Sequence, residues 1–237
     1  MLFMAKRMFV VLTCVGMFLG LSVPIGTGTA AAADCADVHL LFARGTAEAG
    51  APVGTTGRAM HRALQSRFPG KDVRVSPVRY RASGDFQKGT VFLRSVADGV
   101  RNAQNQLRHL ARTCPRTRLV LGGFSQGGVV ATYAVSDQIA GPALVLAEVP
   151  TPLPASVARH VAGVVTFGAP ADRWFREVGV PPMRVGALYR HKTRDYCIAG
   201  DNICDGGPID RPNTVHGRYS VNGMTAAAAN FVGRNVR

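Results

Sequence analysis

The sequence contains 237 residues, a length that suits one domain with a sizeable core better than two domains of ordinary size. Hydrophobic residues make up 47% of the chain and charged residues 18%, which excludes an intrinsically disordered protein. No unit recurs at a period of roughly 20–50 residues, so solenoid and propeller architectures are also excluded.

The N-terminal residues 1–33 have the pattern of a secretory signal peptide. Lys6 and Arg7 supply a positive start, Met8–Val23 is apolar, and the run Ala30–Ala33 offers a small-residue cleavage site. An uncleaved membrane anchor is the alternative, but the apolar run is short for a bilayer span. We therefore expect this segment to be removed and the protein to be secreted, either extracellular or associated with the cell wall.

Residues 34–237 then form the mature domain, in which no apolar run is long enough to span a membrane. The formal net charge of the full chain, +14, raises nucleic acid as a partner. However, the arginines are scattered, and neither zinc-ligand spacing nor an aromatic RNA-binding signature is present. We expect a monomer with no nucleic-acid partner, and the charge favours the anionic surfaces of a cell envelope.

Strands and helices alternate along the mature chain. Apolar runs predict strands at Val38–Ala43, Val73–Tyr80, Arg118–Leu121, Gly163–Phe167 and Val185–Tyr189. Helices are predicted over Phe92–Leu110, which Cys114-Pro115 follows, over Gln126–Gln138 and over Tyr219–Val232. The proline-interrupted stretch Gly141–Pro154 is assigned to no element. This alternation indicates an α/β fold with a parallel sheet covered by helices on both faces.

Export also determines how the cysteines are interpreted. Cys14 belongs to the signal peptide, and Cys35, Cys114, Cys197 and Cys204 remain in an oxidising compartment. Four cysteines allow three pairings. The last two lie close together in a Gly/Asp-rich stretch, so a local disulfide between them is the simplest choice and leaves the first two to pair. Since no C-x-x-C pair exists, we expect no metal site.

The segment Gly122–Gly128, GGFSQGG, carries the sharpest chemical signal. It contains a G-x-S-x-G pattern directly between a predicted strand and an apolar helix. Such a turn exposes Ser125 as a nucleophile at a helix N-terminus, where the Gln126 N–H can stabilise an oxyanion. The alternative is a glycine-rich turn with an incidental serine, but the flanking strand and helix favour the nucleophile.

A serine needs a base and an acid that orients the base, and in sheets of this type these follow the serine in the order acid, then histidine. His216 follows four aspartates and precedes the final helix, so we prefer it to His191, which lies at a basic strand end. His160 is interpreted as an ordinary residue of a surface helix. Asp201 lies inside the predicted local disulfide, which would hold its loop rigid, and Asp195 is the second choice for the acid.

The turn Arg44–Glu48, RGTAE, follows the first predicted strand, where the second oxyanion donor normally originates. Thr46 can contribute its backbone N–H and its hydroxyl there. An R-G-T turn is a weak signal alone, and it gains meaning from the serine turn.

Together these segments resemble the cutinase family of secreted serine esterases, and particularly the cutinase-like proteins of actinobacteria. The resemblance rests on Leu41–Glu48 (LFARGTAE), Gly122–Gly128 (GGFSQGG), Thr166–Pro170 (TFGAP), Cys197–Cys204 (CIAGDNIC) and His216. It implies a compact α/β-hydrolase with a five-stranded parallel sheet, no large lid, and the disulfides Cys35–Cys114 and Cys197–Cys204. Carried over to this sequence, Ser125 is the nucleophile, Asp201 the acid and His216 the base, while Thr46 and Gln126 form the oxyanion hole.

The resemblance implies a secreted carboxylic-ester hydrolase that needs no cofactor and cleaves short- to medium-chain esters or lipid-like small substrates through an acyl-enzyme. Two departures stand out: Phe124 replaces a more usual Tyr, and Pro208–Pro212 is more polar than the apolar lip of fungal cutinases. The second departure argues against activity on polymeric cutin. An acetylxylan-esterase-like polysaccharide deacetylase and a non-catalytic basic surface-binding protein with a vestigial triad are the alternatives.

Overall fold

Five parallel strands form the sheet of the computed structural model, which describes residues 35–84, 89–138, 151–177, 182–207 and 211–236. The predicted signal peptide lies outside the described residues. The strands are β1 (Val38–Ala43), β2 (Val73–Pro77), β3 (Arg118–Phe124), β4 (Val161–Phe167) and β5 (Thr193–Tyr196). Their spatial order is β2-β1-β3-β4-β5, and every neighbouring pair is parallel. The predicted fold class, an α/β-hydrolase built on a five-stranded parallel sheet, is confirmed.

Helices cover both faces of this sheet. The α-helices of the described residues are α1 (Thr55–Arg67), α2 (Gly89–Thr113), α3 (Gln126–Ala134), α4 (Ala155–Ala158), α5 (Asp172–Glu177) and α6 (Met224–Gly233). Short 3₁₀ helices occupy Arg190–Lys192 and Thr214–Gly217. Helices α1 and α6 pack against each other, as do α2 and α3.

Alternation along the central strands divides the core into two layers. In β1, Leu40 and Phe42 point to the layer that contains α1 and α6, whereas Leu41 and Ala43 point to the layer that contains α2 and α3. All four side chains are fully buried. A strand buried on both faces reads as a continuous apolar run, which is why β1 was predicted with its observed bounds.

The strand order places a topological switch between β1 and β3. The chain leaves β1 towards β2 at one edge and returns in β3 on the other side of β1. In parallel sheets a crevice forms at such a switch, beyond the carboxyl ends of the strands. Here Ala43, the last residue of β1, pairs with Gly123 of β3, so the turn Arg44–Glu48 and Ser125 emerge side by side.

Both predicted disulfides are present. Cys35–Cys114, with 5.6 Å between Cα atoms, ties the start of the described chain to the residue after α2. Cys197–Cys204, with 5.8 Å between Cα atoms, closes a loop directly after β5. The first joins distant parts of the chain, and the second shapes one local loop.

The predicted fifth strand, Val185–Tyr189, is wrong. The Gly186 N–H donates to Val135 O at 3.0 Å, and the Tyr189 N–H donates back to Gly186 O at 2.9 Å, so this segment forms a turn. The fifth strand is instead the polar sequence Thr193–Tyr196. A strand at a sheet edge is only partly covered, so it lacks the apolar run on which the prediction relied.

Other element bounds differ at their ends. Strand β2 stops at Pro77, three residues before the predicted end, and α3 stops at Ala134 rather than Gln138. Helix α6 starts at Met224 rather than Tyr219, because Tyr219 has a different position described below. Within the unassigned stretch, residues 141–150 lie outside the described part of the chain.

The approach of α3 to the end of β1 generates a testable prediction. A Cβ added at Gly127 would lie 1.9 Å from Ala43 O and 2.7 Å from Arg44 O, which are backbone atoms that cannot rotate away. We expect Gly127→Ala to lower the free energy of unfolding by about 3 kcal/mol, the upper end of typical overpacking costs. Urea unfolding measures this loss. Gly217→Ala is the matched control, because a Cβ there meets nothing within 4 Å. Equal stability of the two variants would contradict the packing described here.

Candidate active site

Ser125 occupies a strained turn between β3 and α3. Its backbone has φ 52° and ψ −118°, a positive φ that a non-glycine residue adopts only when the surroundings hold it. The surroundings do so here, because the Ser125 N–H donates to Phe167 O at 2.9 Å and its carbonyl accepts from the Gly128 N–H at 2.8 Å. The serine is thereby fixed at the carboxyl end of the sheet, at the N-terminus of α3.

Asp201 is a fully buried carboxylate in the loop that the Cys197–Cys204 disulfide closes. Its Oδ1 accepts from the Ile203 N–H at 3.0 Å, and its Oδ2 accepts from the Tyr219 hydroxyl at 2.5 Å. Burial acts to raise the pKa of this carboxyl. Hydrogen bonds from His216, Tyr219 and the Ile203 N–H outweigh that effect, so the pKa of Asp201 lies below its usual value. The site therefore holds this carboxyl in its ionised form.

His216 faces Asp201 from the 3₁₀ helix Thr214–Gly217. Its Nδ1 lies 2.9 Å from Asp201 Oδ1 and 2.8 Å from Oδ2, so one ring nitrogen is committed to the carboxylate. The other, Nε2, is buried and has no hydrogen-bond partner among the described residues. A donor on Nδ1 leaves Nε2 as the free acceptor of the neutral ring.

Two observations show that the imidazole lies close to the serine turn. The ring of His216 lies 4.8 Å, centroid to centroid, from that of Phe124, the residue before Ser125. A Cβ added at Gly168, which follows the carbonyl that holds Ser125, would lie 2.9 Å from His216 Cε1 and 3.1 Å from Asp201 Oδ2. Gly168 has φ +56°, so both its conformation and its missing side chain suit this crowded position.

Asparagine side chains connect the acid loop to the histidine loop. Asn213 Oδ1 accepts from the His216 N–H at 3.2 Å, and Asn213 Nδ2 donates to Gly200 O at 2.8 Å. Asn202 Oδ1 accepts from the Asn213 N–H at 3.0 Å, and Asn202 Nδ2 donates to Arg211 O at 3.1 Å. These hydrogen bonds of Asn202 and Asn213 fix the position of the histidine relative to the aspartate, and no sequence motif predicted them.

The turn Arg44–Glu48 lies beside the start of α3, as predicted from its position after β1. Thr46 Oγ1 donates to Gln126 Oε1 at 2.9 Å. The first N–H groups of a helix have no acceptor within the helix, so the Gln126 N–H is available at this point. Thr46 is therefore adjacent to Gln126, the residue that follows the serine.

Glu48 and Tyr80 hold this turn in place, and the sequence analysis missed both. Glu48 accepts from the Gly45 N–H at 2.8 Å and from the Thr56 N–H at 2.8 Å, so it joins the turn to the start of α1. The Tyr80 hydroxyl donates to the Arg44 carbonyl. Glu48 is the last residue of RGTAE, whereas Tyr80 was predicted as the end of a strand and lies three residues beyond the observed end of β2.

The other candidate residues lie elsewhere. Asp195, the second choice for the acid, is exposed in β5 and accepts from the Thr166 hydroxyl. His191 is exposed in the 3₁₀ helix Arg190–Lys192. His160 is buried after α4, so its interpretation as a surface-helix residue is wrong. Asp210 lies outside the described residues.

Within the described ranges, the structure contains no cluster of three or more His, Cys, Asp or Glu side chains able to hold a metal ion. No helix of the same ranges is both long and apolar enough to cross a membrane.

Comparison with known proteins identifies the family. The family model described as Cutinase matches residues 34–236, nearly all of the chain outside the predicted signal peptide. The chain belongs to the cutinase family. It is a carboxylic ester hydrolase, as the resemblance predicted.

Curated relatives agree with the cutinase family. The chain is 42% identical to the probable carboxylesterase Culp7 of Mycobacterium tuberculosis over 166 residues, covering 70% of this chain and 86% of that protein. It is 34% identical to carboxylesterase Culp1 of Mycobacterium bovis over 212 residues, covering 89% of this chain and 86% of that protein. These mycobacterial relatives agree with the predicted resemblance to actinobacterial members.

Among solved structures, Trichoderma reesei cutinase in complex with a C11Y4 phosphonate inhibitor matches with a TM-score of 0.63 and 30% identity. The match covers 86% of this chain and 78% of that one. The catalytic core domain of acetyl xylan esterase from Trichoderma reesei matches with a TM-score of 0.64 at 22% identity, covering 85% and 100%. At that identity the second match shows a shared fold alone.

The asparagine bonds generate a prediction for this cutinase-family site. Asn213→Ala removes the cap of the His216 helix and the bond to Gly200, at a cost of about 1 kcal/mol in stability. Because the histidine loses its register against Asp201, we expect kcat for p-nitrophenyl butyrate to fall about tenfold with KM little changed. Asn222→Ala is the matched control, since Asn222 Oδ1 accepts at 3.1 Å from the N–H of Met224, the first residue of α6, and not from the histidine loop. The interpretation is wrong if both variants lose the same stability and the same activity.

Proposed function

We propose that this protein is a secreted serine esterase that cleaves short- to medium-chain carboxylic esters through an acyl-enzyme on Ser125. The observation that carries the proposal is the convergence of a strained serine turn with a buried Asp201–His216 pair. The hydrogen bonds that offset the cost of burying the Asp201 carboxylate also orient His216 and leave Nε2 free. A serine nucleophile needs a base oriented by a carboxylate in this way.

In the proposed reaction, His216 Nε2 takes the Ser125 hydroxyl proton as the serine oxygen attacks the ester carbonyl. Asp201 keeps the proton of the neutral ring on Nδ1, which leaves Nε2 free as the base, and it stabilises the imidazolium that forms. The alkoxide leaves with the proton from Nε2. Water then attacks the acyl-enzyme in the same way and regenerates the serine. Side chains and water complete both steps, so the chemistry calls for no cofactor.

We propose that Thr46 and Gln126 stabilise the oxyanion. Gln126 offers its backbone N–H at the positive end of α3, and Thr46 is held beside it by the bond to the Gln126 side chain. Glu48 and Tyr80 fix the turn that carries Thr46, so the donors are positioned before substrate arrives. Donors arranged in advance avoid reorganisation when charge develops in the transition state.

Secretion is the second part of the proposal. Residues 1–33 have a signal-peptide pattern, and the two disulfides are compatible with an oxidising extracellular compartment. The mature domain would then be residues 34–237, a basic monomer that acts on ester or lipid-like substrates near anionic cell-envelope surfaces. The high positive charge supports that partner through long-range attraction.

The proposed roles predict the effects of three substitutions. Ser125→Ala removes the nucleophile and should lower turnover of p-nitrophenyl butyrate about 10⁴- to 10⁶-fold. Asp201→Asn should lower it about 10⁴-fold, because the amide favours the wrong tautomer of His216. Asp195→Asn is the control and should retain activity, since Asp195 contacts Thr166 instead. Fluorophosphonate labelling of Ser125 checks the nucleophile directly. If the wild type is not labelled, the non-catalytic alternative replaces this proposal.

Substrate size gives a second prediction. The segment Pro208–Pro212 carries Asp210 and Arg211, and burying charged groups against a long acyl chain is costly. We therefore expect kcat/KM to be higher for p-nitrophenyl esters of about C2 to C8 than for C16, although each buried CH₂ can add about 0.8 kcal/mol of affinity. A value of kcat/KM that still rises at C16, or a sharp increase in rate with emulsified triglyceride, would contradict the expectation drawn from Asp210 and Arg211. Activity confined to acetyl esters would favour the polysaccharide deacetylase.

A further inference from the structure

Tyr219 is the largest fully buried side chain of the described residues, and it lies beside the acid and the base. Its ring packs against Phe124, with centroids 5.7 Å apart, and against Phe167, at 6.1 Å. It also meets the His216 ring edge-on, at 6.2 Å and an interplanar angle of 85°. Three aromatic neighbours thus fix the direction in which the phenol points.

The hydrogen bonds of this hydroxyl leave one destination for its proton. The Tyr219 oxygen accepts from the Ile198 N–H at 3.1 Å, and Asp201 Oδ2 lies 2.5 Å away. Cys204 Sγ lies 3.2 Å from the hydroxyl, but a disulfide sulfur carries no proton and is a weak acceptor. Since no solvent reaches the ring, the proton goes to the carboxylate. Such charge-assisted bonds are about twice as strong as neutral ones.

Asp201 depends on this donor. The described contacts of its carboxylate are the His216 ring nitrogen, the Ile203 N–H and Tyr219, and the Cys204 sulfur 3.3 Å from Oδ2 has no proton to donate. Tyr219 is therefore the one donor to Oδ2 in the described part of the chain besides the histidine itself. Burial and the bond to Asp201 both raise the pKa of Tyr219, so the phenol stays protonated and remains a donor.

We propose that Tyr219 is a positioning residue of the esterase reaction, which fixes the Asp201 carboxylate so that it orients His216. This inference rests on the function proposed above. Tyr219 donates to Oδ2 and the Ile203 N–H donates to Oδ1. These two hydrogen bonds keep the carboxylate from rotating away from His216 Nδ1. The Tyr219 hydroxyl acts on catalysis through Asp201, since it does not reach the reacting atoms in the proposed mechanism.

The kinetic test compares Tyr219→Phe with wild type in the folded, disulfide-bonded protein. Tyr219→Phe loses the bond to the charged Asp201 carboxylate and the bond from the Ile198 N–H, and it should lower kcat about 10- to 100-fold with KM changed less than about twofold. Loss of the donor also leaves more negative charge on the carboxylate to stabilise the protonated form of the base, so the acidic limb of the kcat/KM profile should move to higher pH. Tyr196→Phe is the matched control. Tyr196 stacks on Phe167 at a centroid distance of 5.4 Å, so this substitution removes a hydroxyl from the same aromatic cluster.

A double-mutant cycle separates positioning from packing. In an Asp201→Asn background, Tyr219→Phe should lower kcat less than about threefold, because the charged partner is already gone. The proposal is overturned if the loss is the same in both backgrounds, or if Tyr219→Phe leaves kcat within about twofold of wild type and the acidic limb unmoved.

Replacement of Tyr219 by 3-fluorotyrosine keeps the side chain nearly isosteric and makes it a stronger donor. It should move the acidic limb the opposite way, to lower pH, even if Tyr219→Phe fails to fold.

Thermal unfolding at two pH values tests the contact between Tyr219 and Asp201 without any measurement of turnover. Because the folded pKa of Asp201 lies below its usual value of 3.8, its bonds contribute stability above that pH, and the contribution is lost as pH falls through the folded value. The difference in Tm between wild type and Tyr219→Phe should therefore be larger at pH 7 than at pH 3. A difference independent of pH would overturn the coupling to Asp201. Failure of Ser125 labelling with this pH dependence intact would instead overturn the proposed function alone.

Discussion

The buried carboxylate of Asp201 is the group on which the rest of the site depends. A buried ionised carboxylate requires hydrogen-bond donors in place of water. Here the His216 imidazole, the Tyr219 phenol and the Ile203 N–H provide them. Each donor belongs to the segment that follows β5. The disulfide, the asparagine bonds and the aromatic cluster all serve to keep those donors in place. Stability at this point and the capacity for catalysis have the same physical origin.

The sheet contributes the other half of the site. Parallel pairing of β1 with β3 delivers the turn of Thr46 and the turn of Ser125 to one edge, and the approach of Gly127 to the Ala43 carbonyl keeps them adjacent. The positive φ of Ser125 is held by a hydrogen bond to β4, the next strand. The backbone thus fixes Ser125 and the turn of Thr46, whereas side-chain hydrogen bonds fix Asp201 and His216.

Much of this arrangement could be predicted because its signals are local. Central strands are covered on both faces, so Val38–Ala43 and Arg118–Leu121 appeared as apolar runs, and the serine turn carries its own motif. The polar edge strand Thr193–Tyr196 gave no such signal.

Contacts between side chains distant in sequence were harder to predict. Helix α1 buries only two large apolar side chains, Met60 and Leu64, beside small or polar ones, so its apolar stripe was too sparse for the helix to be predicted. Tyr219 was assigned to a helix because the sequence shows its apolar character but not the partner of its hydroxyl. Glu48, Tyr80 and Asn213 act through bonds that depend on the completed fold.

The separation of contacts along the chain has a consequence for folding order. The Asp201–His216 bond spans 15 residues and the Tyr219–Asp201 bond spans 18, within the segment that follows β5. The contact between Thr46 and Gln126 spans 80 residues and requires the central strands to be paired. Short loops close at a smaller entropic cost than long ones. The Asp201–His216 bond can therefore form within its own segment during refolding, while the contact between Thr46 and Gln126 has to wait for the long-range pairing of β1 with β3.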